Sequence, residues 1–159
     1  MLNIRASVKI DGVCHEIVSN CTAIDGIQAR LFCENPAEGL YNATAYLENG
    51  ASRSGRITEL YGLDITVPLD AAETLRFGTL TGDSNDGKSF RPADRVLNPG
   101  DTVVREPFGA RPSNTTAFPY FDLEWAGQSM VCGIGWSGQW RLTVTRDESS
   151  FRITAGQAD

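Results

Sequence analysis

The chain has 159 residues, 41% of them hydrophobic and 21% charged, with a formal net charge of −6 at pH 7. This length suits one domain, because about 150 residues can hide roughly 70% of their unfolded surface, and the composition excludes wholesale disorder and a membrane protein. The acidic balance excludes nucleic acid as a partner, since binding to phosphates draws most of its affinity from clustered Lys and Arg.

The N-terminal residues alternate: Ile4, Ala6, Val8 and Ile10 are interleaved with Arg5, Ser7 and Lys9. This is the period-2 pattern of a strand with one wet face, and it contains no apolar run of signal-peptide length. A cytoplasmic location is the expectation. Asp11-Gly12 reads as a turn, and residues 13–18 pair back as a hairpin. The same rhythm returns over residues 27–33, 41–47, 63–67 and 75–80, and again after Asp101. Turn-formers separate these runs at Asn35-Pro36, at Asn49-Gly50, over residues 82–87 and over residues 98–101.

The one helix candidate is a single turn near residues 70–74, too short to stand without packing. The 16 glycines and seven prolines are spread along the chain and leave no window for a long amphipathic helix. Residues 118–123, 129–136, 139–146 and 149–155 complete the pattern, and the short connectors Ser137-Gly138 and Asp147-Glu148 suggest an antiparallel meander. The expected architecture is all-β: an antiparallel β-sandwich with little or no helix, forming a single domain over residues 1–159.

A nucleophilic triad needs a base near neutral pH, and the only histidine, His15, sits in Cys14-His15-Glu16 with no G-x-S-x-G elbow in the chain. It reads as an ordinary strand residue. Cys14, Cys21, Cys33 and Cys132 contain no C-x-x-C pair, so no metal site is expected. Cys132 reads as a buried thiol, and a Cys14–Cys21 hairpin disulfide is open only to an exported protein. No cofactor motif is present: Gly133-Ile-Gly135 lacks the third glycine and the helix of a dinucleotide fingerprint.

Glycoside hydrolysis needs two carboxylates about 5 to 9 Å apart across a sugar-sized cleft. Asp122 and Glu124 would share one strand face about 6.5 Å apart, but one strand supplies no opposing wall for a ring. No catalytic residue is assigned. Exposed aromatic rings can stack on sugar faces, and Trp125, Trp136 and Trp140 are the candidates, with Asp122 as a polar neighbour. Trp136 and Trp140 flank the Ser-Gly turn and form either a binding platform or a hydrophobic plug. Tyr61, Asp64, Arg111 and Tyr120 are further groups suited to a groove.

Residues 118–123, Phe-Pro-Tyr-Phe-Asp-Leu, followed by residues 130–140, Met-Val-Cys-Gly-Ile-Gly-Trp-Ser-Gly-Gln-Trp, resemble a signature of the N-terminal β-supersandwich domain of α-galactosidase-like glycoside hydrolases, family 36 and its relatives. Residues 61–65, 109–113 and 154–159 fall in the matching order, so the resemblance covers roughly Leu60 onward. It implies the N-terminal part of a longer enzyme whose catalytic aspartates lie on a (β/α)8 barrel that follows. The implied partners are that barrel or a sister subunit, with a galactose-containing oligosaccharide as the associated sugar. None of the family's catalytic motifs occurs in this chain, and Trp136, Gln139 and Trp140 match a motif read as mainly structural.

Overall fold

The computed structural model describes residues 3–18, 22–50, 52, 54–85, 87–109 and 111–158. Cys21, and with it the Cys14–Cys21 pairing, lies outside the described residues. The strands run in chain order as β1 (Arg5–Ile10), β2 (Val13–Ile17), β3 (Thr22–Ile24), β4 (Ile27–Ala37), β5 (Leu40–Asn49) and β6 (Ile57–Pro68). There follow β7 (Leu75–Thr79), β8 (Arg95–Leu97), β9 (Thr102–Arg105), β10 (Tyr120–Trp125), β11 (Gln128–Gly133), β12 (Trp140–Arg146) and β13 (Ser150–Ala158). Among the described residues there is no helix, and every strand pairing described is antiparallel, so the fold is all-β and sandwich-like.

The chain divides into two compact units, Met1–Ile65 with Thr154–Asp159, and Thr66–Ile153. Strands β6 and β13 each contribute residues to both.

In the first unit β1 and β2 form the expected hairpin. Asp11 and Gly12 both take positive φ, 50° and 84°, as the tight turn that matches strand twist requires. Asp25-Gly26 repeats this between β3 and β4, with φ of 47° and 86°. The far edge of β1 pairs with β6, and the C-terminal residues of β13 lie beside β6. The approach there is so close that a Cβ on Gly156 would overlap the Leu60 carbonyl oxygen. The second sheet is β3-β4-β5. Ala6, Val8, Ile10 and Ile17 from one sheet and Ile24, Ile27, Ala29 and Leu31 from the other form one buried cluster. Each large aliphatic side chain buried this way contributes about 1.5–3 kcal/mol.

Asn35-Pro36 is not the turn that its composition suggests. Both residues lie inside β4, where the register slips between Glu34 and Ala37, and a bulge is where a strand tolerates a proline that has no N–H to donate. The chain reverses instead around Gly39, at φ 74°.

In the second unit the sheet order is β11-β10-β7-β8, and β9 pairs with β12. Phe77, Phe121, Leu123 and Trp125 are buried on one layer, and Val103, Leu142, Val144 and Phe151 on the other. The rings of Trp125 and Phe151 meet edge to face at 5.2 Å. The expected meander breaks between β11 and β12, which belong to different sheets. Strand β11 ends at Gly133, earlier than its sequence pattern suggests, and Ser137-Gly138 lies in a crossover. The amide of Ile134 donates to the Pro119 carbonyl oxygen at 2.8 Å and keeps this end on β10, while Trp140 opens β12 as a core residue. Residues 70–74 form a turn in which Asp70 accepts from the amides of Ala72 and Glu73.

Arg146 is a fully buried cation. Its Nη1 donates to the carbonyl oxygens of Leu69 and Ser150 at 3.0 and 3.1 Å, and its Nη2 to that of Asp70. These charge-assisted bonds offset the desolvation of the guanidinium and tie the chain after β6 to the β12–β13 hairpin.

Candidate functional site

Strand β10 sorts its residues by alternation. Phe121, Leu123 and Trp125 point into the core, and Tyr120, Asp122 and Glu124 form a row on the outer face of the second unit's four-stranded sheet. Register places Gly78 and Arg76 of β7 opposite Asp122 and Glu124 on one side, and Val131 and Ser129 of β11 on the other.

Gly78 has a specific part here: a Cβ at that position would overlap the Asp122 carboxylate, which lies across the strand. Burial raises the pKa of Asp122, the negative charges of Asp94 and Glu124 raise it further, and Arg76 opposes them. Arg76 Nε is 3.7 Å from Glu124 Oε2. The face runs down to a shallow hollow of about 360 Å³ around Arg76, Glu124 and the Ala126-Gly127 turn.

At the other end of the row stand three aromatic rings. Phe118 stacks on Tyr120 at 5.4 Å and meets Phe90 edge to face at 5.3 Å. Tyr120 lies over Gly133, where a Cβ would come within 3.1 Å of the ring. Phe90 takes φ 55°, an unusual conformation for a bulky side chain. The loop before it is braced: Ser89 Oγ donates to Asp83 Oδ1 at 3.0 Å, and the Arg91 amide to Thr81 Oγ1 at 2.8 Å. The face can therefore hold the apolar side of a flat ligand beside hydrogen-bonding carboxylates.

The tryptophans divide. Trp125 is 7% exposed and packs on Phe151, and Trp140 is 1% exposed with its indole Nε1–H donating to the Pro112 carbonyl oxygen at 2.6 Å. Both rings are core elements and are withdrawn from any stacking surface. Trp136 is 43% exposed, and its indole lies so close over Gly138 that a Cβ there would meet Nε1 at 2.9 Å. Of the four sugar-site candidates, Asp122 and Trp136 are thus accessible and Trp125 and Trp140 are not.

Tyr61 and Asp64 lie on β6 in the first unit, opposite Ser7 and Arg5, whereas Tyr120 and Arg111 belong to the second. His15 sits mid-strand on β2 opposite Val8. Among the described residues Cys14, Cys33 and Cys132 form no disulfide with one another, and burial pushes the pKa of Cys132 up to about 11. A thiol so protonated is a weak nucleophile. Phe90 and Phe118 escaped the residue-by-residue reading because nothing local marks two rings 28 positions apart as neighbours.

No protein-family model matches this chain, and neither does any curated protein.

Proposed function

We propose that this chain is a non-catalytic β-sandwich region of an α-galactosidase-like glycoside hydrolase, supporting a catalytic barrel and contributing to subunit contacts. The observation that carries the reading is the use made of the segment from Gly133 to Trp140, the part most similar to that family's signature. Gly133 admits the Tyr120 ring, Gly138 admits the Trp136 indole, and Trp140 plugs the core. Gly133, Gly138 and Trp140 thus have packing duties, which supports an architectural role for the motif. The retaining two-carboxylate chemistry then belongs to the barrel. The assembly acts on α-linked galactosides in the cytoplasm.

Reading the coding sequence past Asp159 tests this. A continuing frame that encodes a (β/α)8 barrel with paired aspartates is the expected result, and a stop codon overturns it.

The exposure of Trp136 favours a second reading, a stand-alone carbohydrate-binding module. With Trp125 and Trp140 buried, a saturable change of tryptophan fluorescence on adding raffinose would report mainly on Trp136 and disappear in Trp136→Ala. A flat titration sinks that reading.

A further inference from the structure

The outer face of the β4–β5 ribbon in the first unit has an unusual composition. Alternation sends Ile27, Ala29 and Leu31 into the core, so Arg30, Phe32 and Glu34 point outward, and register sets them opposite Tyr46, Thr44 and Asn42. A solvent-facing sheet surface is ordinarily polar throughout. Here its centre holds two large rings, Phe32 at 49% and Tyr46 at 55% exposure, fixed edge to face at 5.2 Å. They line a groove of about 460 Å³, within the range of roughly 300–1,000 Å³ found for ligand sites.

Polar groups flank the rings on both sides along the ribbon. Arg30 Nη2 donates to Gln28 Oε1 at 2.8 Å and lies 3.6 Å from Glu48 Oε2, while Asn42 Nδ2 donates to Glu34 Oε2 at 3.4 Å. Arg30 is therefore already paired with a carboxylate, and the groove holds no concentration of one sign of charge to recognise an ion. A ligand laid across this face, as opposed to a strand added at its edge, meets side chains and not the backbone groups paired between β4 and β5. What the groove offers is an apolar platform bordered by donors and acceptors. That matches a ligand with a C–H face and a rim of hydroxyls. The seven residues of strand from Gln28 to Glu34 span about 20 Å, longer than one sugar ring.

We infer that the outer face of β4–β5 is a binding groove for a neutral oligosaccharide, with a pyranose ring resting on one of the perpendicular rings of Phe32 and Tyr46, the other standing beside it as a wall, and its hydroxyls bonded by the amides and carboxylates on either side. The inference goes beyond the proposed function and does not depend on it, because it uses only this groove's chemistry. It assigns the sugar platform to residues of the first unit and not to Trp136.

The test is a ¹H–¹⁵N NMR titration of the whole chain with raffinose, stachyose, cellohexaose and maltohexaose. Saturable shifts confined to β4 and β5 are expected with at least one of them, little changed by added salt. Tyr46→Ala should weaken binding about tenfold while the spectrum stays folded, and Tyr46→Phe should keep affinity within about twofold. Trp136→Ala should leave it unchanged. Shifts centred on Trp136, binding that survives Tyr46→Ala, or no shifts with any of the four sugars would overturn the inference. None of these results bears on whether the reading frame continues into a barrel.

Discussion

The two units build antiparallel cores by different means. The first joins neighbouring strands by tight turns, Asp11-Gly12 and Asp25-Gly26, and fills its core with Ile, Val, Leu and Ala. The second relies on contacts between residues far apart in sequence: Trp125 on Phe151, Trp140 on the Pro112 carbonyl, and Arg146 on Leu69 and Asp70. Many small aliphatic contacts share a load that each can lose cheaply. A few large or charged groups with fixed partners concentrate it, so single substitutions should cost more in the second unit.

The largest effect is expected at Trp140. Replacing it by Ala removes the ring and strands the Pro112 carbonyl, at about 3–5 kcal/mol, read from urea unfolding followed by circular dichroism. Arg146→Leu comes next. It leaves the Leu69, Asp70 and Ser150 carbonyls without their donor, and a loss of about 3 kcal/mol is expected in the same measurement. Ile27→Val in the first unit should cost only about 0.5–1.5 kcal/mol, and a cost equal to that of Arg146→Leu would erase the contrast.

The smallest effect is a pH dependence at Asp122. Its folded pKa is raised, so the native state holds the proton more tightly than the unfolded chain, and stability falls as pH rises from the ordinary carboxylate pKa of about 4 through the folded value. Asp122→Asn should remove that part of the slope. An unchanged slope would show that the carboxylate is more open to water than its position over Gly78 implies.

Much of the architecture was legible in the sequence, because alternation and turn chemistry are local signals. Residues 4–10 and 139–146 alternate visibly and form strands, and Asp11-Gly12 turns as expected. Strands β3 and β8, three residues each, are too short to show a period. Asn35-Pro36 misleads because a bulge and a turn favour the same residues. The crossover from β11 to β12 was hidden for a related reason: Ser137-Gly138 has the composition of a hairpin turn, and only nonlocal packing of Trp140 decides otherwise.

The site was partly legible too. Trp125 shares its phase with Phe121 and Leu123, a signal that it points inward, whereas Phe32 is out of phase with Ile27, Ala29 and Leu31. That phase break is the local mark of the β4–β5 groove. Its pairing with Tyr46 comes only from strand register.

Under the proposed function this chain does no hydrolysis itself and lends its fold to an enzyme that does. The most direct measurement is release of the aryl group from an aryl α-galactoside, by the purified 159-residue chain and by the product of the uninterrupted reading frame. No turnover by the chain and turnover by the longer product are expected. Hydrolysis by a homogeneous preparation of the chain alone would contradict it.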